Sequence, residues 1–127
     1  MTQNRPVNIN LLKIKLPLSA FLSITHRISG IIIFFIVLPV SVFIFSELTQ
    51  SQDSFNNFMI MYHKNLGIKF GCVSLILIFQ YHIFTGVRHI LMDFHILNES
   101  LSSSYKSAVT TLVLFAVNAL LTLWVML

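Results

Sequence analysis

The chain has 127 residues, of which 56% are hydrophobic and 9% charged, and its mean hydropathy is +0.85. An average soluble domain is about 25% charged, and a 14.5 kDa chain has too little interior for so much apolar surface, so a soluble globular domain is excluded; so is disorder, which needs the opposite composition. The eight Lys and Arg residues give a net charge of +4, but they lie thinly scattered and form no basic stripe for nucleic acid.

Residues 1–18 form a polar lead-in punctuated by Arg5-Pro6 and Leu16-Pro17. No Asp, Glu, Lys or Arg occurs from Ile28 to Ser46, from Phe70 to Val87 or from Ser107 to Leu127, stretches of 19, 18 and 21 residues. A helix of that length reaches roughly 27–32 Å, which matches a hydrocarbon core of about 30 Å. Strands are excluded, because no ten-residue alternation and no set of segments able to close a barrel is present. The chain therefore reads as one all-α integral membrane domain, 1–127, with three transmembrane helices at about 19–46, 65–92 and 105–127. Pro39 removes a backbone hydrogen bond inside the first helix and is expected to bend it. The segment Glu47–Lys64 reads as a polar loop, and the serine run Ser100–Ser104 as a linker.

The cations set the orientation. Arg5, Lys13, Lys15, Arg27, Arg88 and Lys106 fall on one side, and Lys64 and Lys69 on the other. The rule that cytoplasmic flanks carry the basic excess puts the N-terminus in the cytoplasm (or matrix) and the C-terminus outside, in the periplasm. Trp124 fits an outer interfacial anchor. The first apolar run follows three cations without a small-residue cleavage pattern, so helix 1 is expected to be its own insertion signal. Cys72 lies within helix 2 and reads as a small packing residue. Gly67, Gly71 and Ser74 form a small-residue face of the kind that admits another helix closely.

Polar side chains inside membrane helices are costly and mark candidate sites. On helix 1, Ser19, Ser23, His26, Arg27 and Gly30 share one face. Arg27 and His26 fit two accounts, a donor set for a carboxylate or an interfacial anchor with Arg27 snorkelling. On helix 2, His82, Gly86, His89 and Asp93 form one stripe, with Arg88 directed away from it as a topology-setting charge. His82 lies roughly 9 Å deeper than Arg88. Its imidazole is either a haem-iron ligand or a polar group bonded to a neighbouring helix. Gly86 would leave room for a flat macrocycle, and His89 and Asp93, an i,i+4 pair, can bond each other. Because helix 1 leaves the side to which helix 2 returns, the two clusters fall in one leaflet. One deep histidine provides one axial ligand, so a six-coordinate haem would take its second from another subunit.

At these residues the chain resembles a known family. Ser23-Ile24-Thr25-His26-Arg27-Ile28-Ser29-Gly30 resembles the S-x-x-H-R-x-[ST]-G motif of the cytochrome b556 subunit of succinate dehydrogenase, the large membrane anchor (C subunit) of respiratory complex II. His82-Ile83-Phe84-Thr85-Gly86-Val87-Arg88-His89 with Asp93 resembles that family's H-x-x-x-G-x-R-H-x-x-x-D. The lead-in Arg5-Pro6-Val7-Asn8 resembles the family's Arg-Pro start in its proteobacterial form.

The resemblance implies a helix bundle completed by a second hydrophobic anchor, both holding an iron–sulfur subunit and a flavoprotein to the bacterial inner membrane, or to the mitochondrial inner membrane if the chain is organelle-encoded. It implies a heterotetramer, with trimers of it as a further assembly. Electrons from succinate would reach ubiquinone, and haem b would lie between the anchors with His82 as this chain's axial ligand. Ser23, Ile24 and Arg27 would line the ubiquinone pocket, His26, Arg27 and Gly86 would surround the haem and its propionates, and His89 and Asp93 would help supply protons. A hydroxyl at Ser23 can bond a quinone carbonyl, and a fixed cation at Arg27 favours the negative charge that develops on reduction. No flavin or nucleotide fingerprint and no cysteine cluster occurs, so this chain does not oxidise succinate alone. Two further readings stay open, a fumarate reductase anchor working in reverse with menaquinol and a non-redox scaffold. A transporter is disfavoured by too few helices and no internal symmetry.

Overall fold

The computed structural model describes residues 15–98 and 100–127. The Arg5-Pro6-Val7-Asn8 lead-in, Lys13 and the start of the chain lie outside the described residues. Four helices follow in order: α1 (Leu18–Gln50), α2 (Gln52–Lys64), α3 (Leu66–Asp93) and α4 (Leu101–Met126). No strand occurs among the described residues. α1, α3 and α4 are long and apolar enough to cross a membrane, and α3 packs against both of the others.

α1 starts just after Pro17, whose carbonyl accepts from the amides of Ala20 and Phe21 at 3.0 and 3.1 Å. It runs past the expected end near residue 46, for a length of roughly 50 Å. Pro39 does not stop it. One turn earlier, Ile33–Val37 widens into a π-helical turn, with the Leu38 amide reaching back to the Ile33 carbonyl. A proline ring clashes with the carbonyl four residues before it and offers it no N–H, and the wider turn takes up that misfit.

The expected loop at 47–64 is helical. Ser51 caps α2 by accepting from the Ser54 amide at 3.1 Å. Asp53 stands in its first turn and His63 and Lys64 in its last, each matching the helix dipole. Asn65 closes α2 through its amide to Met61 O, and caps α3 by accepting from Gly67 N and Ile68 N at 2.9 and 3.3 Å. Polarity made this segment look like a loop, yet an amphipathic helix on a membrane surface has the same composition.

α3 ends with Ile96 N bonded to Leu91 O and His95 N to Met92 O. His95 takes the left-handed conformation there at φ 55°, a position usually held by glycine. The serine run is not a linker. Ser100 caps α4, accepting from Ser103 N at 3.3 Å, and the next serines form its first turns.

Ten described residues are buried, and half are polar or charged: Ser29, Thr85, Arg88, Ser104 and Thr111 beside Leu22, Ile33, Val37, Val73 and Ala108. Large apolar side chains such as Phe34, Phe35 and Trp124 face outward. Lipid tails solvate them as well as a protein core would, so association rests on close packing and interhelical hydrogen bonds. The Tyr81 hydroxyl meets Thr25 of α1. Thr25 Oγ1 already donates to the backbone of α1, so it accepts from Tyr81. Gln80 Nε2 donates to Thr122 Oγ1 of α4 at 2.8 Å. Tyr62 of α2 donates to Met126 O at 2.8 Å and fixes the far end. The expected close approach at Gly71 is not made within this chain, since a Cβ there would meet nothing within 4 Å, and one at Gly67 would meet only its own cap, Asn65.

Candidate functional site

The first turns of α1 and the last turns of α3 cross at one end of the bundle, and they bring two sequence stripes face to face. His26 and His82 stack with ring centroids 4.1 Å apart and planes 10° from parallel. His89 tilts toward His26 at 5.1 Å. The three imidazoles and Gly86 line a shallow groove of about 450 Å³, with Ile83 and Val87 as apolar walls.

The glycines explain how the rings fit. A Cβ on Gly30 would stand 3.2 Å from His82 Cε1, and one on Gly86 would stand 3.1 Å from His26 Nε2. Each glycine thus receives the histidine of the opposite helix. The room left by Gly86, expected to face a macrocycle, is taken by the His26 ring. His26 Nε2 is buried there without a hydrogen-bond partner among the described residues.

Ser29 fixes the state of His82. Its hydroxyl has one hydrogen, which goes to the His26 carbonyl at 2.7 Å. Toward His82 Nδ1, 2.9 Å away, Ser29 Oγ therefore acts as acceptor. Nδ1 then carries the ring proton, and Nε2 keeps a free lone pair, the form in which a neutral imidazole ligates a metal. Thr85 steadies the same stretch of α3 through its hydroxyl to Tyr81 O at 2.8 Å.

The other expected site residues stand apart from this cluster. Ser23 is half-buried one turn earlier on α1, while Ile24 and Arg27 are exposed beside it. Asp93 is the exposed last residue of α3, and no hydrogen bond joins it to His89 among the described residues, where the sequence suggested one. His89 turns its ring to His26 instead.

Three functional groups escaped the sequence reading. Ser29 sits three residues after His26, a spacing that places it over the next turn, so the signal was present. Tyr81 and Thr25 carried no signal beyond their types. Arg88 does point away from the histidine stripe, but into the protein: it is 3% exposed. Its Nε donates to Ser107 Oγ at 3.1 Å, and its Nη2 donates to Ser104 O and Oγ at 3.1 and 3.2 Å. The cation expected only to set topology also pins α3 to α4.

A family model described as succinate dehydrogenase/fumarate reductase transmembrane subunit matches residues 1–124. The chain belongs to this family. Among its relatives, the succinate dehydrogenase cytochrome b556 subunit of Coxiella burnetii is 36% identical over 93 residues, which cover 73% of this chain and 74% of that one. The cytochrome b560 subunit of Porphyra purpurea is 34% identical over 112 residues, covering 87% and 88%. That of Reclinomonas americana is 34% identical over 97 residues, covering 73% and 67%. The resemblance carried by the two histidine motifs and the expected three-helix membrane architecture are both borne out. Within this family the stacked histidines are the feature of the chain with the most chemical content.

Proposed function

We propose that the chain is the membrane anchor of a succinate:ubiquinone oxidoreductase, ligating haem b through His82 and contributing Ser23, Ile24 and Arg27 to the ubiquinone site. The observation that supports the haem part is the Ser29–His82 hydrogen bond, which leaves Nε2 with the free lone pair that a ligand needs. The residues fit the group. His82 lines an open apolar groove, and His26, seated over Gly86, has an orphaned buried nitrogen beside it. When bound, haem b supplies one-electron redox chemistry. The cytochrome names of the relatives support it.

This chain's residues then have separable tasks. Ser29 holds the His82 tautomer and ring plane. His26 and Arg27 would offer donors to the carboxylates of the haem, and the second anchor would supply the other histidine that holds it. Ubiquinone takes up two electrons and two protons to become the quinol. Ser23 bonds its carbonyl, Arg27 offsets the developing negative charge, and Ile24 forms an apolar wall. Protons are delivered through His89 and Asp93, which stand at the helix end nearest water. The electrons come from succinate by way of a flavoprotein and an iron–sulfur subunit, in a complex of the inner membrane with this chain's N-terminus in the cytoplasm. The family model spans both succinate dehydrogenases and fumarate reductases, and the relatives' names favour the first.

The test is the reduced-minus-oxidised spectrum of membranes holding the complex. The unaltered chain should give a b-type signal, which His82→Ala should abolish or shift. An unchanged spectrum in that variant would overturn the ligand assignment.

A further inference from the structure

A second groove, of about 520 Å³, opens between α3 and α4. Its position follows from helix geometry. Ile83, Phe84, Val87, Arg88 and Leu91 line it on α3, and at 100° per residue they centre roughly opposite the His82–Gly86–His89 stripe. Ile83 and Val87 stand between the two grooves and line both, while Phe84, Arg88 and Leu91 face only this one. Phe84, Leu91 and Leu114 make apolar walls, while Arg88, Lys106, Ser103 and Thr110 give it a polar, cationic edge. No carboxylate lines it among the described residues. The guanidinium is deeply buried, and its Nη1 has no hydrogen-bond partner among the described residues. Arg88 stands about 7.5 Å along the axis from the end of α3, and Lys106 follows the first turn of α4, so both cations lie near one membrane boundary.

We propose that this groove binds an anionic phospholipid, with its phosphate between Arg88 and Lys106 and an acyl chain along Phe84 and Leu114. Arg88 and Lys106 meet no carboxylate among the described residues, so the edge of the groove suits an anion, and the apolar walls suit one that carries a hydrocarbon chain. Basic pockets between membrane helices recognise lipid head groups in this way. A helix of the second anchor is the competing occupant. It must reach His82 to share a haem, and that face is turned away, a step that rests on the function proposed above.

The test uses the purified complex, stripped of lipid and titrated with phosphatidylglycerol or with phosphatidylcholine of the same acyl chains, with binding read by native mass spectrometry. Each cation near a phosphate contributes about fivefold in affinity, so the expected preference for phosphatidylglycerol is roughly 25-fold. Lys106→Gln should reduce it to about fivefold and leave the haem spectrum unchanged, and adding Arg88→Gln should remove the remaining preference. Equal binding of the two lipids, or an undiminished preference in Lys106→Gln, would overturn the proposal. So would displacement of the lipid by millimolar inorganic phosphate, which would assign the site to a soluble anion. A photoreactive residue placed at Leu114 should capture lipid, and capture of the second anchor would also overturn it. Absence of haem from the unaltered complex would defeat the function proposed above but leave the lipid preference measurable.

Discussion

Ser29 accepts a hydrogen bond from His82 Nδ1 across the α1–α3 crossing while donating to the carbonyl of His26. One hydroxyl therefore couples both histidines of the site. Replacing it should matter more than its size suggests. Ser29→Ala frees the His82 ring to rotate and to change tautomer. Loss of such a supporting partner lowers metal affinity roughly 10–100-fold. Titrating haem into haem-depleted membranes checks this, and Ser29→Thr, which keeps the hydroxyl, should restore most of the affinity.

Gly30→Ala separates geometry from stability. The new methyl would press on His82 Cε1 from 3.2 Å, so the ring must shift by a few tenths of an ångström. Alanine also favours the helix interior by about 0.5–1 kcal/mol over glycine. The expected result is an altered b-type spectrum with thermal stability kept or slightly raised. Gly71→Ala, whose Cβ meets open space, should bring the helix gain and no spectral change.

Ser23 and Arg27 are predicted to act in quinone reduction and not in succinate oxidation. Ser23→Ala or Arg27→Ala should cut ubiquinone reduction while sparing succinate oxidation by a water-soluble dye. Equal loss of both activities would place these residues in assembly instead. Asp93→Asn should lower quinone reduction most strongly at high pH, where protons are scarce, and a pH profile parallel to that of the unaltered complex would remove Asp93 from the proton path.

Arg88 and Ser107 should show the asymmetry of buried polar pairs. Ser107→Ala leaves a buried guanidinium N–H without its acceptor, at a cost of about 1–3 kcal/mol. Arg88→Met removes charge and demand together and should cost less than the serine loss. Thermal unfolding of the purified complex in detergent ranks the two, and the opposite order would mean that water already reaches the guanidinium.

The three spans and the leading histidine, His82, were legible because a membrane forbids charges in long apolar runs and makes each exception conspicuous. The facing of His26 and His82 was readable from period and topology together. The partners of those histidines were less so. A hydroxyl such as Ser29 or Ser104 is common in membrane helices, and whether it supports a ligand depends on which side chain the opposite helix brings. Gly86 suggests room on the helix face, but what fills that room, the His26 ring, is set by α1 and not by local sequence. The segment before Lys64 misled because polarity measures contact with water and not the state of the backbone, and Ser51 and Asn65 had already marked the ends of a helix.

The wide turn at Ile33–Val37 holds one residue more than an α-turn would. That residue rotates everything beyond it by about 100°. The histidine-bearing face of α1 and the face that meets α2 are thus offset from the register of an uninterrupted α-helix, although they belong to one rod. A single residue in that turn therefore sets how the histidine-bearing end of α1 is clocked against the end that meets α2.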